Sequence, residues 1–486
     1  MRTLISLFSC SRSSASFCAL LSLLLASCAV GPNYHAPKTE TATAFANGDQ
    51  TNLASGPIAL DWWHGFKDPT LTRLVDLALV TNQDLRIATS RVREARALRT
   101  SAVADAFPVV EGTAGYTKSV SSQASVPFPL TRSQRELDLY SVGFDATWEL
   151  DIFGGVRRSV QAANARLAAT EASRQDVEIS LISELARNYF ELRGGQNELA
   201  VARRNAENQR ETLALTDAKF KAGRGTELDS ARARAQLNAT LAAIPPLEAN
   251  VKHSIYRLSV LTGQQPATLE PELATPAAIP SLPAMVDIGD PAELLRRRPD
   301  VRAAERTLAA ATASIGVQTA SLFPRVFFNG NAGFSANSIG ALGNPATDTY
   351  GFGPQITWAA LDLGHVRARI SAAHARADAE LAAYEKTVLI ALEETENALV
   401  DFGRERTRRQ YLQESVTAAA AATALARQRY EGGIADFLPV LDTERTQLDV
   451  EAQLARSETR TATTLVAVYK ALGGGWNTPE QNQASK

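Results

Sequence analysis

The sequence predicts an α+β membrane protein, built mostly from long α-helices with four β-strands per chain and an internal duplication. Three observations carry this reading. The chain matches itself at an offset of 210 residues, two stretches of 65 residues lack proline, and two pairs of short segments alternate with the strand period of 2. Composition narrows the function classes. The 50 Lys and Arg nearly cancel the 52 Asp and Glu, leaving a formal net charge of −2. A nucleic-acid binder that relies on a basic face is therefore excluded, because that mode needs clustered uncompensated cations. With 45% hydrophobic residues the chain is not disordered throughout.

The first 27 residues read as a lipoprotein signal peptide. Arg2 and Arg12 flank a short basic region, and Phe17 to Leu25 form an apolar run too short to span a bilayer as a helix. Leu25-Ala26-Ser27-Cys28 then resembles a bacterial lipobox, in which the cysteine thiol receives diacylglycerol before cleavage; an ordinary secretory cleavage site is the competing reading. Cys10, Cys18 and Cys28 are the only cysteines, so the body of the chain holds no disulfide framework or thiol nucleophile. Residue 29 is Ala, whereas an Asp there is the usual inner-membrane retention signal of enteric-type lipoproteins; export to an outer membrane is permitted.

Residues 28–70 follow as an N-terminal lipid-anchored segment, and after them one unit is written twice, over residues 71–280 and 281–476, before a tail at 477–486. The offset of 210 pairs Thr147-Trp148 with Thr357-Trp358, Gly154 with Gly364, Phe220 with Tyr430, Gly223 with Gly433 and Leu228 with Leu438. Upstream an offset of 216 pairs Asp84 with Asp300 and Phe107-Pro108 with Phe323-Pro324. Each copy opens with a helical pattern, over 71–106 and 291–322, the second started by Asp290 and Pro291. Strands are expected at 109–118, 138–149, 325–336 and 349–358. Apolar or aromatic residues on one face and small or polar ones on the other fit a membrane β-barrel stave, with a soluble sandwich edge as the alternative. Four strands cannot close a barrel and open edges cannot face lipid, so several chains would have to share one; three would supply twelve strands.

Long helices are expected at 155–221 and 365–430, each roughly 100 Å at about 1.5 Å per residue, followed by glycine turns and returning helices at 226–262 and 436–472. Thr226 with Asp229, and Asp436, fit helix starts. Two antiparallel hairpins result; on helices alone a soluble coiled-coil scaffold fits equally.

The residues Cys28 to Pro37 (CAVGPNYHAP), Trp62-Trp63 with Phe66, Leu295 to Asp300 (LRRRPD) with Glu305, Phe323-Pro324, and Leu472 to Trp476 (LGGGW) together resemble the TolC-type outer-membrane efflux protein family, in its OprM/NodT-like lipoprotein branch. The resemblance implies a homotrimer with a 12-stranded transmembrane β-barrel continued by a 12-helix α-barrel. It implies a lipid-anchored exit duct in the Gram-negative outer membrane, working in a tripartite pump with a periplasmic membrane-fusion adaptor and an inner-membrane resistance-nodulation-division transporter. A type I secretion duct and a structural or adaptor lipoprotein are the alternatives. It implies a periplasmic gate in which Leu438 forms a hydrophobic ring and Asp442 an acidic ring, with Asp229 as a latch partner and Gly223, Gly225, Gly432 and Gly433 at the tip turns that meet the adaptor. Arg445 lies three residues beyond Asp442, within pairing reach on a helix. Ala435 and Pro439 depart from the latch Arg and second Asp of some members, so Arg445 or Arg232 would carry that role. The Arg296 to Arg298 run, with Asp290, Glu293, Asp300 and Glu305 around it, reads as a salt-bridge cluster. No enzyme motif is present, the five histidines lack ligand spacing, and no cofactor is expected beyond the lipid on Cys28.

Overall fold

The structure is a computed structural model describing residues 29–49, 52–125 and 127–476. Cys28 and the signal peptide lie outside the described residues. The chain divides into two compact units, one from residues up to 38, 92–170 and 304–384, the other from 39–91, 171–303 and 385 onward. Each unit takes residues from both sequence copies.

In the first unit the chain forms one antiparallel sheet from β1 (Val109–Val120), β2 (Glu136–Leu150), β3 (Arg325–Ala336) and β4 (Asp348–Thr357), in the order β1-β2-β3-β4. The strands extend the sequence reading by one or two residues at several ends, match it at Arg325–Ala336, and stop one residue short of it at Thr357. The pairings Tyr116 with Tyr140, Val142 with Phe334, Trp148 with Phe328, Gly330 with Phe352 and Val326 with Ile356 set apolar side chains along one face. The other face carries Thr113, Asp145, Asn331 and Gln355, with Thr113 donating to Asp145 at 2.9 Å and Asn329 to Gln355 at 2.6 Å. β1 alternates only weakly in sequence, yet the register places it in the same scheme. All twelve of its residues are exposed, and no described strand pairs with the outer edges of β1 or β4. At the sheet's foot the indoles of Trp148 and Trp358 donate to the carbonyls of Ala106 and Leu322, both at 3.0 Å, so the duplication repeats its anchors as well as its strands.

The second unit is helical and holds the largest core. Trp62 stacks on Tyr469 at 5.0 Å between centroids, and Phe66 meets Phe190 edge-on at 4.9 Å. Leu71, Leu74, Leu185, Leu258 and Leu465 are fully buried around them. The helical pattern of 71–106 corrects to two helices, α1 (Pro69–Thr81) and α2 (Gln83–Ala104), and that of 291–322 to α5 (Pro291–Arg297) and α6 (Pro299–Ala320). Asn82 makes the first break: its extended backbone ends α1, and its side chain accepts from the Leu85 amide at 3.0 Å. Pro299 makes the second, forcing Arg298 out of the helical region. Asn82 and Arg298 are 216 residues apart, so the break is itself repeated.

Two helical hairpins complete the chain: α3 (Gly155–Lys221) with α4 (Glu227–Leu261), and α7 (Leu363–Glu431) with α8 (Leu438–Ala471). α4 stays helical through Pro245-Pro246, both exposed. Among the described residues no helix is long and apolar enough to cross a membrane.

Candidate gate at the hairpin turns

The two turns are built alike. Gly223 and Gly433 adopt φ of +71° and +72°, left-handed conformations that favour glycine. The Gly223 amide donates to Phe220 O at 2.9 Å and Arg224 to Lys219 O at 2.8 Å; Gly433 donates to Tyr430 O at 3.1 Å and Ile434 to Arg429 O at 2.9 Å. These are paired Schellman motifs, closing α3 and α7 by satisfying their last carbonyls. A Cβ at either glycine would meet nothing within 4 Å, so the requirement is conformational alone. Gly225 and Gly432 sit beside them without positive φ.

The return helices start differently. Thr226 and Asp229 form the expected capping box, with the Asp229 amide donating to Thr226 Oγ1 at 3.2 Å and the Thr226 amide to Asp229 Oδ2 at 3.3 Å. Asp436 is not the cap of α8. The cap position falls on Phe437, whose side chain has no acceptor for a capping bond; its ring is instead buried with Tyr430, the ring centroids 5.5 Å apart. Lys219 stands over the Tyr430 ring at 4.1 Å and donates to the Tyr430 carbonyl, tying the end of α3 to the end of α7. The Tyr430 hydroxyl pKa is pushed up by burial and by the charge of Asp229.

Of the expected gate residues, Leu438 is 56% exposed, and so is its repeat counterpart Leu228, which the sequence reading left without a role. Asp442 is exposed one turn further along α8. The expected Asp442–Arg445 pair is absent: Arg445 turns the other way and donates through Nε to Gln236 Oε1 on α4 at 2.6 Å. Among the described residues no cation lies within salt-bridge distance of the Asp442 carboxylate, while Arg445 links the two hairpins. Glu444, also unflagged by the sequence, is buried between helices, accepting from Thr212 of α3 at 2.7 Å with Arg427 of α7 at 3.9 Å. Burial raises its carboxyl pKa, against the lowering effects of Thr212 and Arg427.

The LRRRPD run is a clasp with a different membership from that expected. Buried Arg298 grips Asp300 through two bonds of 3.0 and 2.6 Å, reaches Glu394 at 2.7 Å and donates to Ala471 O at 3.1 Å. Asp290 caps α5 instead, and Glu305 bonds Arg306. The nearby Gly474 brings its backbone against Trp62, joining the C-terminal glycines to the tryptophan pair. Among the described residues no group of three metal-ligating side chains occurs.

A profile of the family described as outer membrane efflux protein matches residues 74–264 and again 291–474, once in each copy. The chain is 34% identical over 459 residues to nodulation protein T of Rhizobium leguminosarum bv. trifolii, covering 94% of this chain and 96% of that protein. It is 33% identical over 463 residues to the solvent efflux pump outer membrane protein SrpC of Pseudomonas putida, covering 94% and 97%. The solved outer-membrane channel OprN is similar with a TM-score of 0.88 at 43% identity, over 92% of this chain and all of that one.

Proposed function

Because the chain belongs to the outer membrane efflux protein family, and so serves as an efflux exit duct, we propose that three copies close one twelve-stranded barrel and form the duct of a tripartite pump. The observation that carries this is the sheet: apolar side chains on one face, polar ones on the other, and two outer edges that pair with no described strand. Lipid removes every alternative partner for backbone N–H and C=O groups, so those edges have to meet edges of other copies. The polar face then lines water, and transport is passage without chemical conversion; the protein is not an enzyme. Energy comes from an inner-membrane resistance-nodulation-division transporter reached through a periplasmic adaptor that contacts the tip at Gly223, Gly225, Gly432 and Gly433.

At that tip, threefold symmetry turns each exposed residue facing the axis into a ring of three. Leu438 supplies an apolar constriction and Asp442 a ring of carboxylates, with Asp229 and Arg445 holding the hairpins that carry them. An acyl chain on Cys28 anchors each copy. The test is planar-bilayer recording of the detergent-extracted protein. Wild type should conduct weakly in its closed state, and Leu438→Ala should conduct more. A preparation that is water-soluble after delipidation, without β signal and without conductance, would replace the duct with a scaffold.

A further inference from the structure

The segment that follows Cys28 is held by a side chain that has no counterpart in the second sequence copy. Arg158 is 3% exposed in the first turns of α3. Its guanidinium donates to the carbonyls of Ala29 at 3.3 Å, Val30 at 3.0 Å and Gly31 at 3.0 Å, and to Asn33 Oδ1 at 2.9 Å. Its remaining partner is Gln161 Oε1 at 2.9 Å. All these partners are neutral oxygens. A cation near a helix N-terminus is opposed by the helix dipole, and a buried one needs compensation. Here the oxygens of residues 29–33 provide it.

The backbone fit is equally specific. Gly154 has φ +80°, and a Cβ there would lie 2.6 Å from the Ala29 Cα; Gly31 has φ +87° and lies against Gly316, where a Cβ would come 2.5 Å from the Gly316 Cα. The Val30 amide donates to Phe153 O at 3.2 Å. Tyr34 adds a second fixing point by donating to Glu305, with Arg306 over its ring at 5.7 Å. At the repeat offsets Arg158 becomes Ala368 and Gly316 becomes Thr100. Gly154 becomes Gly364, which has nothing within 4 Å of a Cβ. The duplication therefore departs from itself where the N-terminal segment docks.

We infer that Arg158, with Gly154 and Gly316, is a clamp that seats residues 29–33 beside the foot of β2 and so sets where the lipid on Cys28 enters the membrane. Arg158 is a positioning residue. One peptide unit, about 3.8 Å between Cα atoms, joins the first clamped residue, Ala29, to Cys28, which limits how far the attached lipid can lie from the clamp. The glyceride is delivered near Phe153 and Gly154, where the sheet meets α3. The placement of the lipid rests on the acylation proposed above; the clamp itself does not.

Hydrogen exchange of the Val30, Gly31, Asn33 and Tyr34 amides in the purified full-length trimer tests the clamp, with metabolic acyl labelling of Cys28 read in parallel. Arg158→Ala should speed exchange there by about tenfold or more, leave the β1–β2 amides protected and retain the label. Arg158→Lys, with fewer donors, should fall between. If Arg158→Ala does not assemble, Asn33→Ala decides, with a several-fold increase expected. Unchanged exchange at 30–34 in an assembled variant overturns the clamp. An unlabelled wild type overturns the acylation and the lipid placement, while the exchange result still decides the clamp.

Discussion

Asp442 and Arg445 show how little spacing alone decides about a side chain. Three residues apart on a helix they are within reach of each other, yet Arg445 joins Gln236 on the facing hairpin, since that bond ties two elements together. Asp442 is left as an exposed charge, as the proposed acidic ring requires. Asp442→Ala should accordingly raise closed-state conductance in planar bilayers, and an unchanged value would remove it from the gate. Glu444 carries a pH dependence. Its folded pKa lies above the ordinary glutamate value because burial disfavours the charged form. Its contribution to tip stability is fully present below the ordinary glutamate pKa and is lost as pH rises through the raised folded value. Glu444→Gln should flatten that slope and make the tip more resistant to opening at neutral pH. Urea unfolding of the tip followed between about pH 4 and pH 7 reads the difference.

At the scale of the element, strands, long helices and glycine turns were legible in the sequence because each has a local cause. Period-2 alternation, absence of proline, and glycine at a left-handed position all act within a few residues. What escaped was set by tertiary contact. The break at Asn82 depends on side-chain bonds, including one to the Leu261 carbonyl at 2.9 Å. The displacement of the α8 cap from Asp436 to Phe437 depends on a ring being buried against Tyr430. The break at Arg298 could have been found from Pro299 alone, since proline restricts the residue before it. The turn chemistry makes a contrast that mutagenesis can read. Gly433→Ala forces a Cβ into φ +72° and should cost roughly 1–2 kcal/mol. Gly432→Ala, without positive φ and with its nearest neighbour at 3.4 Å, should be close to neutral. Hydrogen exchange at the α7 C-terminus separates the two, and equal protection would mean the Schellman closure is not limiting.

For the whole molecule, duplication explains both the regularities and the exceptions. Two copies give paired Schellman turns, paired tryptophan anchors, repeated helix breaks at Asn82 and Arg298 and equally exposed Leu228 and Leu438, while Arg158 and Gly316 mark where the copies part. The sheet was legible as a barrel stave from its alternation, and its incompleteness was legible from the number of strands. The identity of the partners along the gate was not, because those contacts depend on which surfaces of the hairpins face one another. The open edges of β1 and β4 make the oligomer the central claim. Native mass spectrometry of the detergent-extracted, β-rich particle tests it most directly. The account requires three chains per particle; a single chain, or a pair, would contradict it.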